Sequence, residues 1–349
     1  MTTLFTPFRL KHHIIKNRLV VPPIVCYGYA GRDGYVSDRH IAHYERLAGG
    51  EAGIIIVEAT CISPGARLRE DQLGIWDNSF IPGLSKLASV IHSRNALALI
   101  QIHHAGLRAD KNVADILLAP SHFQTNEGRM AKAMSADQIT KTMEDFTRAA
   151  LRAKEAGFDG VELHGCHGYL ICQFLSTVTN KRRDEFGADK SKFAVDIINN
   201  VRQTCGDGFV IGVRMGGNDP DMKGAVEYAK AFEKAGADIL HVSTGYKDYK
   251  PPDLDYTENE YYNWIVRSGI VIKRNLHIPV IVVNGIRKPQ QAKYIIEEGL
   301  SDFVAVAKGL LVDEAWLAKL QNNEPIILCD GCRKCKWYVK PENCPHYRV

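Results

Sequence analysis

The sequence predicts an α/β fold, a single (β/α)8 TIM barrel, on three observations. Short β-branched apolar runs alternate with helix-period segments from the start of the chain to about Leu320, an order typical of parallel strands joined by helices. The same helix-to-strand turn, Ala-Gly-Phe/Ala-Asp, recurs at 156–159 and 235–238. Eight strand candidates, each followed by a candidate helix, fit within the 349 residues, as one closed barrel requires.

The strands are expected as continuous apolar runs, because strands of a parallel sheet are buried on both faces. The expected strands are Leu19–Val21, Ile54–Glu58, Leu97–Gln101, Gly160–Leu163, Val210–Arg214, Ile239–Val242, Pro279–Val283 and Phe303–Val306. The expected helices are Arg39–Ala48, Pro82–Arg94, Ala136–Ala156, Lys192–Cys205, Gly224–Ala235, Tyr261–Asn275, Pro289–Glu298 and Glu314–Leu320. Glycines such as Gly157 and Gly236 follow several of these helices, as is common at helix C-termini.

Three segments lie outside the eight units: residues 1–17, residues 103–135 and the tail, residues 326–349. Residues 1–17 are expected to form a hairpin that closes the bottom of the barrel. Residues 103–135 are too many for an ordinary connection, so we expect a long lid, or an inserted hairpin, between the third strand and the third helix. We therefore divide the chain into a barrel, 1–325, and a cysteine-rich tail, 326–349, that is not an independent domain. Pocket size is expected to depend on the lid and on residues 246–256.

Composition excludes several classes of function. The net charge of +4 comes from 44 basic and 40 acidic residues that are mostly scattered, which argues against nucleic-acid binding. The chain start lacks a basic segment followed by an apolar one, and the longest apolar runs have strand length, so we expect no export signal and no membrane span. Nine cysteines, of which four crowd the last 21 residues, do not resemble a disulfide framework. A cytoplasmic protein is expected.

The segment Val161-Glu-Leu-His-Gly-Cys-His-Gly-Tyr-Leu170 places polar side chains at the end of an apolar strand. Barrel enzymes handle their ligands at the C-terminal ends of their strands. His164 and His167 beside Tyr169 can hold a carbonyl oxygen and deliver a proton. A structural histidine pair, or two ligands of a metal with a distant partner such as His104, are the alternatives.

Five motifs follow one another in barrel-like order. They are Asn17-Arg-Leu-Val-Val-Pro-Pro23, Gln101-Ile-His-His-Ala-Gly106, His164-Gly-Cys-His-Gly-Tyr-Leu170, Arg183-Asp-Glu-Phe-Gly187 and Gly212-Val-Arg214. On these motifs the chain resembles the Old Yellow Enzyme family of FMN-dependent reductases, from about Leu4 to Pro325. We take Arg183 and Asp184 as an ion pair that holds their loop, without a catalytic role.

The resemblance implies a reaction and a set of substrate contacts. FMN would lie across the strand ends and pass a hydride from NAD(P)H to the β-carbon of an activated alkene. His164 and His167 would bind the carbonyl oxygen of the substrate, where negative charge develops, and Tyr169 would protonate the α-carbon. Tyr27 matches a tyrosine that lies near the substrate in one branch of the family.

The resemblance also implies the FMN contacts. Gln101 and Arg214 would face the pyrimidine edge of the flavin, where a guanidinium favours the anionic reduced form. The phosphate would lie at the loops after the last two strands. The full set of expected FMN contacts is Pro23, Ile24, Val25, Ala59, Gln101, Arg214, Asn284, Gly285, Ala307 and Lys308. Asn284, Ala307 and Lys308 depart from the family's Gly-Gly and Gly-Arg, and weaker FMN binding is expected because lysine lacks the bidentate fork of arginine. Val25 stands where the family has threonine or cysteine, so a small change in the flavin potential is expected.

The tail carries four clustered cysteines, Cys329, Cys332, Cys335 and Cys344. They resemble the cluster of the dienoyl-CoA reductase and trimethylamine dehydrogenase branch, where a [4Fe-4S] centre relays electrons between FMN and an FAD domain. Since the sequence stops at Val349, we expect no FAD domain. Three interpretations stay open: an iron-sulfur centre that serves an external electron-transfer partner, a structural zinc ion, and free thiols.

We therefore expect an NAD(P)H:flavin oxidoreductase that reduces α,β-unsaturated carbonyl compounds, with a small-molecule substrate and a homo-oligomeric state. The alternatives within the family are an electron-transfer or amine dehydrogenase-like member and a catalytically silent flavin-binding barrel. A Schiff-base aldolase would need a lysine at a strand end, and no expected strand ends in lysine.

Overall fold

The computed structural model describes residues 2–246 and 259–347, and its centre is a closed barrel of parallel strands. The strands, in chain order, are β1 (Phe8–Leu10), β2 (His13–Ile15), β3 (Leu19–Val21), β4 (Ile54–Cys61), β5 (Leu97–His103), β6 (Leu117–Ala119), β7 (Phe123–Gln124), β8 (Met130–Ala133), β9 (Gly160–Gly165), β10 (Val210–Gly216), β11 (Ile239–Ser243), β12 (Val280–Val283) and β13 (Phe303–Ala305). Around the barrel the order is β10-β11-β12-β13-β3-β4-β5-β9, and β9 pairs with β10 to close it. The predicted TIM barrel is therefore confirmed.

Helices surround this barrel. They are α1 (Asp38–Gly49), α2 (Ile81–His92), α3 (Ala136–Glu155), α4 (Leu170–Leu175), α5 (Glu185–Ala188), α6 (Lys192–Cys205), α7 (Met222–Lys234), α8 (Trp264–Lys273), α9 (Pro289–Glu297), α10 (Lys308–Val312) and α11 (Trp316–Asn322). The short helices α4, α5 and α10 are additional to the expected eight. No helix within the described residues combines the length and the apolar character needed to cross a membrane.

The N-terminal hairpin closes one end of the barrel. β1 and β2 pair antiparallel, with Leu10 opposite His13. Leu10 and Ile15 are buried in one cluster with Val20 and other side chains from the barrel interior. This packing seals the end at which the barrel strands begin, so the opposite end remains for ligands.

The lid is a small sheet of its own. β6 and β7 both pair with β8, the first parallel and the second antiparallel. Arg129 donates hydrogen bonds to the carbonyl oxygens of Ala109 at 2.6 Å and Ala114 at 3.0 Å. The lid is therefore ordered by backbone pairing and by one buttressing guanidinium. Of the second expected pocket segment, residues 247–256 lie outside the described residues.

One expected ion pair is wrong. Asp184 pairs with Arg182, whose Nε lies 2.9 Å from Asp184 Oδ2, and Arg183 is exposed. Arg182 also donates to the carbonyl oxygens of Pro120 and Met134, at 2.8 and 2.7 Å. Arg182, the residue before Arg183, thus connects the lid to the loop before α5, because its side chain donates to these lid carbonyls.

Candidate active site

A cavity of about 430 Å³ opens at the C-terminal ends of the barrel strands, a volume usual for small-molecule and cofactor sites. Every expected FMN and substrate contact lines it: Pro23, Ile24, Val25, Tyr27, Ala59, Gln101, His164, His167, Tyr169, Arg214, Asn284, Gly285, Ala307 and Lys308. Further lining residues that the sequence analysis missed include Ser243, Arg287 and Tyr338. Residues from the first to the last barrel unit thus meet at one site.

The turn after β9 aims its side chains into this cavity by an unusual backbone conformation. His167 has a positive φ of 59° and Gly168 one of 76°, a region that non-glycine residues seldom occupy. The backbone N–H of His167 donates to the carbonyl oxygen of Thr244 at 3.0 Å. Its own carbonyl accepts from Arg108 at 2.8 Å. Contacts from two neighbouring loops hold the strained residue, as is common at functional sites.

The two histidines belong to a chain of hydrogen bonds. His103 Nδ1 lies 3.2 Å from His164 Nδ1, and His164 Nε2 lies 3.1 Å from His167 Nδ1. His167 Nε2 then lies 2.8 Å from Ser243 Oγ. No role is predicted for His103 or Ser243 from the sequence, although His103 lies within the third-strand motif.

Burial keeps these imidazoles neutral. It lowers the pKa of His164 and of His167 well below the usual value, and the nearby Arg214 lowers both further. It also lowers the pKa of His103 to about 3. Each ring therefore carries one N–H donor and one acceptor nitrogen near neutral pH.

A chain of neutral rings can donate in only one direction at a time. If His164 donates from Nε2, its Nδ1 must accept from the Nδ1–H of His103. His167 Nδ1 then accepts, and its Nε2–H donates to Ser243. For His167 to donate into the cavity as well, its proton must move to Nδ1 while the hydroxyl of Ser243 turns to donate. His103 and Ser243 therefore decide which donors a bound oxygen meets.

Tyr169 lies beside this chain. Its ring stands edge-on to His103 and His164, with centroids 4.4 and 4.7 Å apart. The guanidinium of Arg108 lies 5.7 Å from its ring centroid. The phenol and both imidazoles thus surround one part of the cavity wall.

Arg214 supplies a buried cation with spare hydrogen-bonding capacity. Strand pairing places it level with His164 on β9 and His241 on β11. Its Nε is buried and meets no hydrogen-bond partner within residues 2–246 and 259–347. A buried guanidinium with an unpaired N–H fits an anionic or carbonyl-bearing ring system. Arg214 and Asp219 form no ion pair among the described residues, and the Asp219 carboxylate accepts from the backbone N–H of Tyr246 at 3.0 Å.

Gln101 is held in place by the core. Its Nε2 donates to Glu162 Oε1 at 2.7 Å, and the other carboxylate oxygen of Glu162 lies 2.8 Å from His241 Nδ1. The buried Glu162 thus fixes the amide of Gln101 at the cavity floor.

The loops after β12 and β13 form the expected phosphate region. Asn284 and Gly285 have successive positive φ values of 100° and 71°, and Asn263 donates to Asn284 Oδ1 at 2.9 Å. Lys308 begins α10. Arg287 also lines the cavity and adds a second cation to that of Lys308.

The loop after β3 forms another wall, and a buried acid supports it. Glu58 Oε2 accepts from the backbone N–H of Cys26 at 2.9 Å, and burial raises the pKa of Glu58 to about 8. Cys26 is buried in a small apolar cluster, so it is a core residue. The guanidinium of Arg69 lies 4.4 Å from the ring centroid of Tyr27.

The cysteine-rich tail packs against the same end of the barrel. Trp337 is buried with Ile24 and Cys26, and Arg39 of α1 forms an ion pair with Glu342. Tyr338 reaches the cavity itself. The tail therefore adjoins the loop that was expected to contact the flavin.

The four tail thiols do not converge on one point in this structure. Among the described residues, no three of Cys329, Cys332, Cys335 and Cys344 have sulfur atoms within 4.8 Å of one another. Zinc–sulfur bonds of about 2.3 Å would place the sulfurs roughly 3.8 Å apart. The ligands of an iron-sulfur cluster bind different iron atoms and stand further apart.

Comparison with known proteins agrees with this architecture. The sequence profile of the NADH:flavin oxidoreductase / NADH oxidase family matches residues 3–326. An NADH oxidase of Thermoanaerobacter brockii is 36% identical over 346 residues, which are 95% of this chain and 52% of that protein. The chain thus spans about half the length of that relative.

Solved structures share the fold. An Old Yellow Enzyme homologue from Zymomonas mobilis has a TM-score of 0.83 at 24% identity, over 99% of each chain. A 2-naphthoyl-CoA reductase in complex with 2-naphthoyl-CoA has a TM-score of 0.89 at 23% identity, over 99% of this chain and 56% of that one. From the family profile, the barrel and the ordered motifs, the chain belongs to the NADH:flavin oxidoreductase / NADH oxidase family, the family of Old Yellow Enzyme.

Proposed function

We propose that the protein is an FMN-dependent oxidoreductase that uses NADH or NADPH to reduce C=C bonds activated by a carbonyl group. The observation that carries this proposal is the convergence on one cavity of a buried guanidinium with an unpaired Nε–H, two neutral imidazoles and a phenol. FMN, when bound, supplies the chemistry of accepting a hydride and passing it on. Binding, orientation and proton transfer fall to the residues of this chain.

Separate walls of the cavity would hold the parts of FMN. Pro23, Ile24, Val25 and Ala59 would pack against the ring system. Gln101 and Arg214 would recognise the polar edge of the ring. Asn284, Gly285, Ala307 and Lys308 would hold the phosphate, and Arg287 would assist them. The charge of two cations compensates for the loss of the family's Gly-Arg pair.

The substrate would bind beside the turn after β9, next to the residues that would hold FMN. His164 and His167 donate to its carbonyl oxygen, where charge develops as the C=C bond is reduced. Tyr169 delivers the proton to the α-carbon, and Tyr27 packs on the substrate from the opposite loop. Buried neutral donors suit this task, because they need no reorganisation as the charge appears.

A second candidate is an electron-transfer or amine dehydrogenase-like role. It is favoured by the tail, since Tyr338 reaches the cavity and four cysteines follow the barrel. In this role a [4Fe-4S] centre at Cys329, Cys332, Cys335 and Cys344 would exchange electrons with a partner. We also propose that residues 1–325 form the barrel and that residues 326–349 form a tail that does not fold independently. The proposed location is the cytoplasm, because reduced thiols persist there.

The experiment identifies the flavin of the purified protein and compares its reduction potential with that of an Arg214→Met variant. The flavin released on denaturation should be FMN, and anaerobic NADH or NADPH should bleach it. Two unit charges about 4 Å apart at an effective dielectric near 20 attract by about 4 kcal/mol, which corresponds to about 90 mV for a two-electron couple. Arg214→Met should therefore lower the flavin potential by up to this amount. A potential that is unchanged or higher would contradict the placement of Arg214 at the flavin.

A further inference from the structure

The turn after β9 gathers a third donor that the proposed reduction does not use. His164, Cys166 and His167 each offer one ligand atom, and these atoms lie within 4.8 Å of one another. His164 Nε2 and His167 Nδ1 are 3.1 Å apart. Metal–nitrogen bonds of about 2.0–2.1 Å in a tetrahedral site separate two nitrogens by roughly 3.3 Å. The imidazoles thus already stand at a coordination distance.

The group has the form of an open metal site. Cys166 is fully buried, whereas both histidines line the cavity. Three protein ligands with a fourth position open to a cavity are typical of zinc sites that take a water or a ligand. Imidazole and thiolate together select soft or borderline cations over Mg²⁺ and Ca²⁺.

Local backbone geometry produces this convergence. His167 has a left-handed backbone conformation, with a φ of 59°, and the three ligand residues lie within four consecutive positions. The charges around the group are mixed, since Arg214 lies nearby and the buried Glu162 offsets it. Cys166 belongs to none of the walls that hold FMN or substrate.

We propose that His164, Cys166 and His167 form a site for a thiophilic divalent cation, Zn²⁺ or Cd²⁺, whose binding blocks the position of the substrate's carbonyl oxygen. On binding, the Cys166 sulfur bonds to the metal and its proton leaves to solvent. The blocking effect rests on the proposed function, whereas the metal site itself does not. The fourth metal position takes a water that faces the cavity.

The test uses the FMN-loaded enzyme, ZnCl₂ or CdCl₂ as the probe, and two variants, Cys166→Ala and Cys166→Ser. Zn²⁺ should inhibit wild-type enone reduction in competition with the enone. Loss of one ligand should raise the inhibition constant at least about tenfold in both variants, which equals about 1.4 kcal/mol of binding free energy. Each rate is referred to that variant's own metal-free rate, and equal flavin content verifies folding.

Cys172→Ala is the matched control, because Cys172 is a second buried thiol that contacts Asp219 at 3.5 Å. It should keep the wild-type inhibition constant. The ultraviolet absorption of Cd²⁺–thiolate bonds gives a readout independent of turnover, and the tail thiols cancel in the difference between wild type and Cys166→Ala. Equal inhibition and equal Cd²⁺ absorption in wild type and Cys166→Ala would overturn the site. If enones are not reduced but the Cd²⁺ difference depends on Cys166, the proposed function fails and the metal site stands.

Discussion

His164 and His167 show how single residues determine what this cavity binds. Both rings are neutral, and both are engaged in a chain that begins at His103 and ends at Ser243. The positive φ of His167 brings the second ring opposite the first. His103 and Ser243 therefore determine which imidazole nitrogens donate hydrogen bonds, and neither residue needs to contact a substrate to do so.

His103 provides the first prediction. When the Nδ1–H of His103 donates to Nδ1 of His164, the proton of His164 must lie on Nε2, where it can be donated into the cavity. His103→Leu removes this hydrogen bond and no longer fixes the proton of His164 on Nε2. We expect the KM for an enone to rise by about 3- to 10-fold, the equivalent of a lost hydrogen bond of about 0.5–1.5 kcal/mol. The rate of flavin reduction by NAD(P)H should not change. His103→Gln, which retains a donor, should recover part of the loss, and failure of that rescue together with slower flavin reduction would indicate a merely structural role.

Tyr169 provides the second prediction. Tyr169→Phe removes the proton donor but keeps the ring beside His103 and His164. Since a positioned general acid contributes about 10²- to 10⁴-fold, reoxidation of the reduced flavin by an enone should slow by at least about 100-fold. Reduction by NAD(P)H should remain at the wild-type rate. Rapid mixing separates the two half-reactions, and an unaltered rate of reoxidation would remove Tyr169 from the proposed mechanism.

The sequence could predict those site residues that stand in motifs at strand ends. Gln101, His164 and Arg214 are of this kind, and all line the cavity. Ser243 and Arg287 carry no such signal, because they follow ordinary apolar strands, and only the closed barrel brings them to the site. Tyr338 could not be predicted either, because it lines the cavity only through the packing of the tail against the barrel.

At the scale of elements, the lid and the loop before α5 are joined by one arginine. Arg182 bonds to two lid-side carbonyls and to Asp184, whereas Arg183 is exposed. Arg182→Ala should lower the free energy of unfolding by about 1.5–3 kcal/mol, because two carbonyls lose a charged donor. Arg183→Ala is the matched control and should stay within about 0.5 kcal/mol of wild type. Urea denaturation measures both, and equal effects would contradict the assigned contact.

Helix α2 provides a pH-dependent prediction. Its last residue, His92, bonds through Nε2 to Asp159 Oδ2 at 2.9 Å, and this bond raises the pKa of His92 above its usual 6.5. His13 also faces Asp159, at 3.8 Å. A raised pKa in the folded state gives stability that is complete below the unfolded pKa and is lost as pH rises through the folded pKa. His92→Gln should therefore destabilise the protein more at about pH 5.5 than at about pH 8.5; a larger loss at the higher pH would contradict the pairing.

The element order was readable from the sequence because buried parallel strands are apolar throughout. Lys192–Cys205 and Leu19–Val21 agree with the expected bounds. The lid was predicted only as a long insertion, since its short strands β6 to β8 are too brief to show periodicity. The Arg183 pairing was wrong because sequence adjacency does not tell which of two arginines faces the lid.

At the scale of the whole molecule, the barrel has two unlike ends. The hairpin of β1 and β2 packs one end shut, and at the other end the strand termini and Tyr338 of the tail line the candidate active-site cavity. This division explains how a stable core coexists with a strained, polar site. It also places the cysteine-rich tail next to the proposed flavin position.

The anaerobic reaction of the reduced enzyme with 2-cyclohexenone decides whether this cavity reduces activated C=C bonds. The FMN-loaded protein is bleached with one equivalent of NADH or NADPH and is then mixed with the enone while the flavin absorbance is followed. We predict return of the oxidised spectrum and formation of cyclohexanone, in which the C=C bond is saturated and the carbonyl is retained. A flavin that stays bleached with the enone but recovers its colour in air would contradict the proposal.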